Sequence, residues 1–445
     1  MSKKDLTTGS ITGNLISLTL PMMLGIISMV AFNLIDTYFV GKLGEKELAA
    51  LSFTFPVIMV VFSIIQGLGI GATALIAKSI GKDNWKKAAR ETTDSIALTL
   101  LLTGLFVIVG LLTIDPTLRL LGADGETAAM SKEYMQIWFF ALFFVSVPFV
   151  GNSAIRATGD AKTPTYIMLF AVIINAILDP ILIFGYLGFP ALGLKGAAIA
   201  TAISRGLTMI FSFYILIKRD KLITFEKPTR EVLAGCWKSI LYIALPSGLA
   251  RLVVPIATGV ITALLAGYGS FAVAAYGVGS RIEFLANSLV FALAASIGPF
   301  VGQNLGKGEL NRVKECVRIS NRFAIIWGLV SWVLLAAGSR YIASIFNDNE
   351  EVIQTVQLFL WIVPAGFGLQ GVLSIINSNL NTINKPLQAS SIIVVQMLVL
   401  GLPAVYLGRE LDGIKGIFVG IAIMYALGGL LSMFANKFIM NRFEG

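Results

Sequence analysis

Leu20-Pro21 returns as Leu245-Pro246, Leu43-Gly44 as Tyr268-Gly269, and Ile80-Gly81-Lys82 as Leu305-Gly306-Lys307, all at an offset of 225 residues. The offset closes to 222 for Pro164 and Pro386 and to 220 for Lys195-Gly196 and Lys415-Gly416. A chain that repeats itself over this length has to build one scaffold twice. The copies are not chemically equal: the same register sets Ile261 opposite Asp36 and, with one residue of slack, Leu402 opposite Asp179.

The scaffold has to lie in a bilayer. Of 445 residues 56% are hydrophobic and only 13% charged, more apolar side chain than a water-soluble core of this size can hide. Apolar stretches predict spans at 15–39, 49–77, 95–114, 134–155, 165–187 and 196–217, and again at 239–266, 272–301, 319–338, 353–380, 388–408 and 414–436. The expected architecture is an all-α integral membrane protein, its twelve transmembrane helices arranged as two pseudo-symmetric six-helix lobes around a central cavity. The lobes are expected at 1–217 and 239–445. Residues 218–238, with six basic residues and Pro228, form a cytoplasmic linker between them. An even number of spans per copy relates the lobes by an axis along the membrane normal.

Twelve spans leave both termini on one side, and basic residues say which. Twenty-three of the 34 Lys and Arg fall on the side of the termini, from Lys3 and Lys4 to Arg442, against eight on the other side. Both termini are therefore expected in the cytoplasm, of an inner membrane. The net charge of +9 follows from this bias and excludes a nucleic-acid partner. Residues 1–10 carry no cleavable signal pattern, and Cys236 and Cys316, in basic cytoplasmic loops, are expected as free thiols.

Within the spans, Gly67 and Gly71 stand one turn apart and are matched by the small residues Ala292 and Ser296, a pattern of close helix packing. Pro21, Pro148, Pro180, Pro246, Pro364 and Pro403 all fall inside spans, where proline removes a donor and favours a kink. Pro21 is the expected mobile hinge, because it shares the first span with Asp36.

Asp36, Asp179 and Thr201 all fall in the outer half of their spans, and Asn175 lies one turn below Asp179. An ionised carboxylate in hydrocarbon costs roughly a few kcal/mol or more, so each must be hydrated, paired or protonated. An aspartate pair can then carry a proton, a role histidine often fills and cannot fill here, since the chain has none. Arg251, Arg281 and Glu283 lie near the middle of spans seven and eight, where a buried charge pair is expected. Arg205 is one turn from Thr201 on the same face.

Pro21 followed by Asp36, Val40-Gly41-Lys42-Leu43-Gly44, Arg156-Ala-Thr-Gly-Asp160-Ala-Lys-Thr-Pro164, Asn175-Ala-Ile-Leu-Asp179-Pro180 and Gly196-Ala-Ala-Ile-Ala-Thr201 together resemble the multidrug and toxic compound extrusion (MATE) family, DinF-like branch, over essentially the whole chain. The resemblance implies no enzyme. It implies an antiporter that exports lipophilic, often cationic drugs by alternating access, in exchange for H⁺ and without a cofactor. It assigns proton or cation coupling to Asp36, Asp179, Asn175 and Thr201, with Asn152 beside them and Pro21 as the hinge of the first helix. The tyrosine expected one turn before the first-helix aspartate is Phe32 here. The second lobe has Arg251 but no acid in span seven, unlike the branch that couples to Na⁺ there. The protein is expected to act as a monomer in the lipid bilayer.

Three alternatives stay open. The same oxygens of Asp36, Asn175, Asp179 and Thr201 also suit Na⁺, and three intramembrane arginines keep a lipid-linked sugar flippase in view. A membrane-embedded lipid hydrolase is disfavoured, because the sequence has neither His nor a Ser/His/Asp constellation.

Overall fold

The structure, a computed structural model, describes residues 5–442. Lys3 and Lys4, counted above on the cytoplasmic side, lie outside the described residues, as do the outermost ends of the two expected lobes. Backbone N–H and C=O groups in hydrocarbon have to be satisfied within the segment, so long apolar runs fold as helices. The first series is α1 (Ile11–Gly41), α2 (Glu45–Gly81), α3 (Trp85–Leu120), α4 (Gly125–Ala157), α5 (Lys162–Phe184) and α6 (Leu194–Tyr214). The second is α7 (Arg230–Ala266), α8 (Ser270–Lys307), α9 (Leu310–Ala337), the short α10 (Ser339–Phe346), α11 (Glu350–Ile362), α12 (Phe367–Thr382), α13 (Pro386–Val394) and α14 (Leu402–Arg442). A 3-10 turn joins α11 to α12 at Val363–Gly366, and a π-helical stretch joins α13 to α14 at Val395–Gly401.

Among the described residues, eleven stretches are long and apolar enough to cross a bilayer. The last, Pro386–Arg442, is 57 residues long and contains two spans, because the backbone leaves helical geometry at Asp412 and Gly413. Gly413 has φ +55, and Gly408 and Gly416 approach so closely that a Cβ on either would meet the other's carbonyl. That hairpin completes the twelve transmembrane helices of an all-helical membrane protein. Lipid-facing surface is written at helical spacing: Leu101, Leu105, Ile108 and Leu112 of α3 are each more than half exposed.

The chain forms two compact units, Leu24–Leu245 on one hand and Leu6–Met23 with Pro246 onward on the other. Both α1 and α7 therefore change unit along their length, close to Pro21 and at Pro246, the equivalent prolines of the two copies. The whole stretch 218–238 belongs to the first unit, and only residues 220–229 of it lie between helices. It is tied down there: Arg219 pairs with Asp160 at 2.7 Å, the Thr224 backbone N–H donates to Thr93 Oγ1, and Trp237 Nε1 donates to the Asp94 carbonyl. Burial pushes the Asp160 carboxyl up, but hydrogen bonds from Thr163 and the Arg219 guanidinium outweigh it and hold it below the usual carboxylate value.

Residues 6–23 are held in the second unit by equally specific contacts. Leu6 is fully buried and its N–H donates to Gln303 Oε1 at 3.0 Å, while Arg312 donates to the Gly9 carbonyl at 3.0 Å. Deeper along α1, Thr19 Oγ1 lies 3.2 Å from Ser296 Oγ, one of the small residues expected at a close crossing. In the first unit a Cβ on Gly71 would strike the Ile240 carbonyl. Cys236 and Cys316 are free, and both lie in the opening turns of helices rather than in loops, because α7 and α9 start earlier than the apolar runs do.

Candidate functional site

Four elements of the first unit converge on its buried acids. Helices α5 and α6 form an antiparallel hairpin whose tip is fixed by Leu192 N–H to Leu182 C=O and Gly193 N–H to Ile183 C=O bonds. Gly196 makes the approach possible: a Cβ there would collide with the Leu182 carbonyl. From that contact, about one and a half turns along α6 and back along α5 bring Thr201 level with Asn175 and Asp179. The outer half of α1 packs against α5, with Gly25 beside Thr165 and the rings of Phe39 and Phe184 6.3 Å apart, edge to face. Asp36 sits one turn before Val40 on this length of helix.

Asp36 is 9% exposed and Asp179 is fully buried. Asn175 Nδ2 donates to Asp179 Oδ1 at 2.9 Å, the bond expected at a spacing of four on a helix. Pro180 does not end α5, which runs on to Phe184, so Asp179 is an interior helix residue and not a cap. The two carboxylates lie within electrostatic reach of each other and of the buried Tyr134 on α4. Asp36 Oδ1, Asp179 Oδ2, Asn175 Oδ1 and Thr201 Oγ1 are all buried without a hydrogen-bond partner. Three of these four atoms can only accept, so the cluster is short of donors. An apolar recess lined by Leu34, Ile35, Tyr38, Phe39 and Ala176 flanks it.

Arg205 is placed by the structure. Its guanidinium stacks 4.1 Å from the centre of the Phe32 ring and faces Asp36 electrostatically. The phenylalanine that replaces an expected tyrosine therefore serves as a cation–π platform for a charge one turn from Thr201. Asn152 is not brought to the acids: its Oδ1 accepts a 3.4 Å bond from Ser212, three turns along α6 from Thr201. Asn33, near Asp36 in sequence, is exposed. Tyr134 escaped the sequence reading because a phenol at the edge of an apolar run carries no periodic signal that it points at an acid.

The expected charge pair of the second copy is not formed. Among the described residues no ion pair joins Arg251 or Arg281 to Glu283; Glu283 Oε1 instead accepts a 2.6 Å bond from the Tyr425 hydroxyl. Arg281 and Glu283 are two residues apart on α8, which puts them on opposite faces. Glu283 turns inward beside Tyr276 and Tyr425, whereas Arg281 and Arg251 are exposed.

The family model described as MatE matches residues 21–181 and again residues 246–407. The chain belongs to the MatE family. The two matches begin at Pro21 and Pro246, the offset at which the sequence repeats. MatE proteins are transporters, so the chain is a multi-pass membrane transporter and not an enzyme. It is 34% identical over 416 residues to the FAD transporter of Shewanella oneidensis, covering 94% of this chain and 92% of that protein. It is 27% identical over 428 residues to the probable multidrug resistance protein YoeA of Bacillus subtilis, covering 95% and 92%. The crystal structure of the Vibrio cholerae MATE transporter VcmN in the bent form superposes with a TM-score of 0.92 at 30% identity, covering 97% of each chain.

Proposed function

We propose that the protein is a H⁺-coupled antiporter of the DinF-like branch, which exports lipophilic, often cationic compounds and keeps its coupling chemistry in the first unit. The observation that carries this reading is the donor-poor cluster of Asp36, Asn175, Asp179 and Thr201 inside the spans. Two carboxylates close together in a low dielectric do not both stay charged without compensation, and each proton taken up converts an acceptor into a donor that Asn175 Oδ1 or Thr201 Oγ1 can receive. Deprotonated in the outward-facing state, the pair favours a cationic cargo; protons entering from outside neutralise it and release the cargo. Coupling requires only that cargo affinity differ between the two states, and loss of one or two charges near a cation supplies that difference. Pro21, close to where α1 passes from one unit to the other, is the natural place for bending to accompany protonation.

The same oxygens suit Na⁺, but Arg205 beside Asp36 already supplies a fixed cation, which disfavours a second metal charge and leaves a proton as the better fit. The name of the Shewanella relative extends the cargo class to large aromatic molecules. The basic bias of the inner loops supports a cytoplasmic membrane with both termini inside, and a monomer is the proposed state.

The test is ethidium efflux by purified protein in liposomes, with pH and Na⁺ gradients imposed separately. A pH gradient alone should drive export, and Asp36→Asn and Asp179→Asn should each reduce it by about tenfold or more. Export that requires Na⁺, or that survives both substitutions, contradicts the reading.

A further inference from the structure

Two guanidiniums of the second unit have no role in the chemistry above. Arg251 and Arg281 lie about four and three turns below the tight turn Gly267–Gly269 that joins α7 to α8, and so about one turn apart in depth on consecutive helices. Ala257, Ile261 and Leu265 of α7 and Ala272, Ala275 and Ile282 of α8 line one apolar seam together with residues of α11, α12 and α14. Neither arginine points into that seam; both side chains are exposed, and neither forms an ion pair or hydrogen bond with another described residue.

Their faces are mixed rather than purely aliphatic. On α7 most exposed aliphatic residues, Leu245, Leu249, Ile256 and Val260, lie well over a quarter-turn from Arg251, which shares its own face with Pro255, Thr258, Thr262 and the exposed Val254. Arg281 shares its face with Gly277, Phe284 and the exposed Leu285, and the Phe284 ring packs 6.0 Å from Phe291. A mid-span arginine cannot reach the headgroups, and a bare guanidinium in hydrocarbon is too costly to persist, so both belong on a hydrated face. Exposed, unpaired and about one turn apart in depth, the two forks match the planar geometry of an oxyanion, with Phe284 on the face of one of them.

We propose that Arg251 and Arg281 form an oxyanion subsite of the second unit, selecting cargo in which a planar aromatic ring system carries a phosphate. This rests on the transporter reading but reverses the charge preference set by Asp36 and Asp179, so one protein accepts cationic cargo at one unit and acidic aromatic cargo at the other.

Riboflavin and riboflavin 5′-phosphate share a ring and differ in the phosphate, which makes them the matched probes. Binding to purified protein is followed by flavin fluorescence for wild type and for Arg251→Gln, Arg281→Gln, Arg251→Lys and Arg281→Lys. Wild type should prefer the phosphate ester by about tenfold or more, and each glutamine variant should lose most of that preference. Equal binding of the two flavins by wild type, or a preference that survives both glutamine variants, overturns the proposal. Should a glutamine variant fail to fold, its lysine counterpart decides, because a point charge without the fork should weaken the preference severalfold, and an unchanged preference counts against the subsite. Ethidium efflux by wild type in liposomes separates the two levels. Ethidium export without a flavin preference sinks the subsite alone, and no export of either cargo sinks the transporter reading beneath it.

Discussion

The first and second units are copies of one scaffold that fill the same positions with opposite chemistry. Where the first buries Asp36, the second places Ile261, 3% exposed in an apolar cluster with Ala257, Leu265 and Ile282. Opposite Asp179 stands Leu402, packed at the edge of that cluster. The acid cluster of the first unit leaves four buried oxygens without partners, whereas Ile261 and Leu402, opposite its two aspartates, pack among apolar side chains. Duplication has therefore preserved what holds helices together and has not preserved what moves protons. The comparison teaches that helix packing does not require the acids, so their cost has to be offset by function.

Giving the first unit the residues of the second should break the comparison most completely. Asp36→Ile and Asp179→Leu should each lower pH-driven efflux by roughly 100-fold or more, while the thermal midpoint of the purified protein stays level, since removing a buried carboxylate offsets the bulk of the larger side chain and the loss of Arg205 or Asn175 as partner. A lowered midpoint would assign the acids a structural role. The reverse graft, Ile261→Asp, buries a carboxylate with no partner and should cost about 3–5 kcal/mol in denaturation without conferring new coupling. Gly196→Ala sharpens the comparison at the backbone level. It forces α6 off the Leu182 carbonyl and should cost about 1–3 kcal/mol together with a loss of efflux, because Thr201 is displaced with the helix. Tyr425→Phe removes the one hydrogen bond seen to Glu283 and should cost about 1–2 kcal/mol, with the pH dependence of efflux unchanged.

The smallest effect is expected at Asp160, which lies between α4 and α5 and outside the spans. Because its folded carboxyl titrates below its unfolded value, its contribution is present above the unfolded value and is lost as pH falls through the folded one. Asp160→Asn should therefore lower the melting temperature slightly at neutral pH and make no difference in strong acid. A difference that persists at low pH would mean that the asparagine disturbs packing instead.

Much of the fold was legible because bilayers impose length and repetition imposes register. Asp36, Asn175 and Asp179 could be placed by depth alone, and the offset at Pro21 and Pro246 is the offset at which the family match repeats. What escaped depends on rotation and on distance across the chain. Depth puts Asn152 on a neighbouring helix but not beside Ser212, and nothing in a single sequence says that Phe32 will carry Arg205. The charge pair expected among Arg251, Arg281 and Glu283 fails on rotation, since both arginines are exposed while Glu283 turns to Tyr425. The change of unit along α1 and α7 was hidden because hydropathy gives a span its length and says nothing of which neighbours hold each end. Their holders, Arg312 with Leu6 and Gly9 in one case and Trp237 with Asp94 in the other, are hundreds or scores of residues away in sequence.

The central claim, that the acids of the first unit exchange protons for cargo, is tested most directly by measuring protons released when ethidium binds to purified protein in weakly buffered detergent solution. Wild type should release protons on binding, and the double substitution Asp36→Asn with Asp179→Asn should bind with none released. Release of the same size from the double variant, or binding by wild type without any release, would contradict the account.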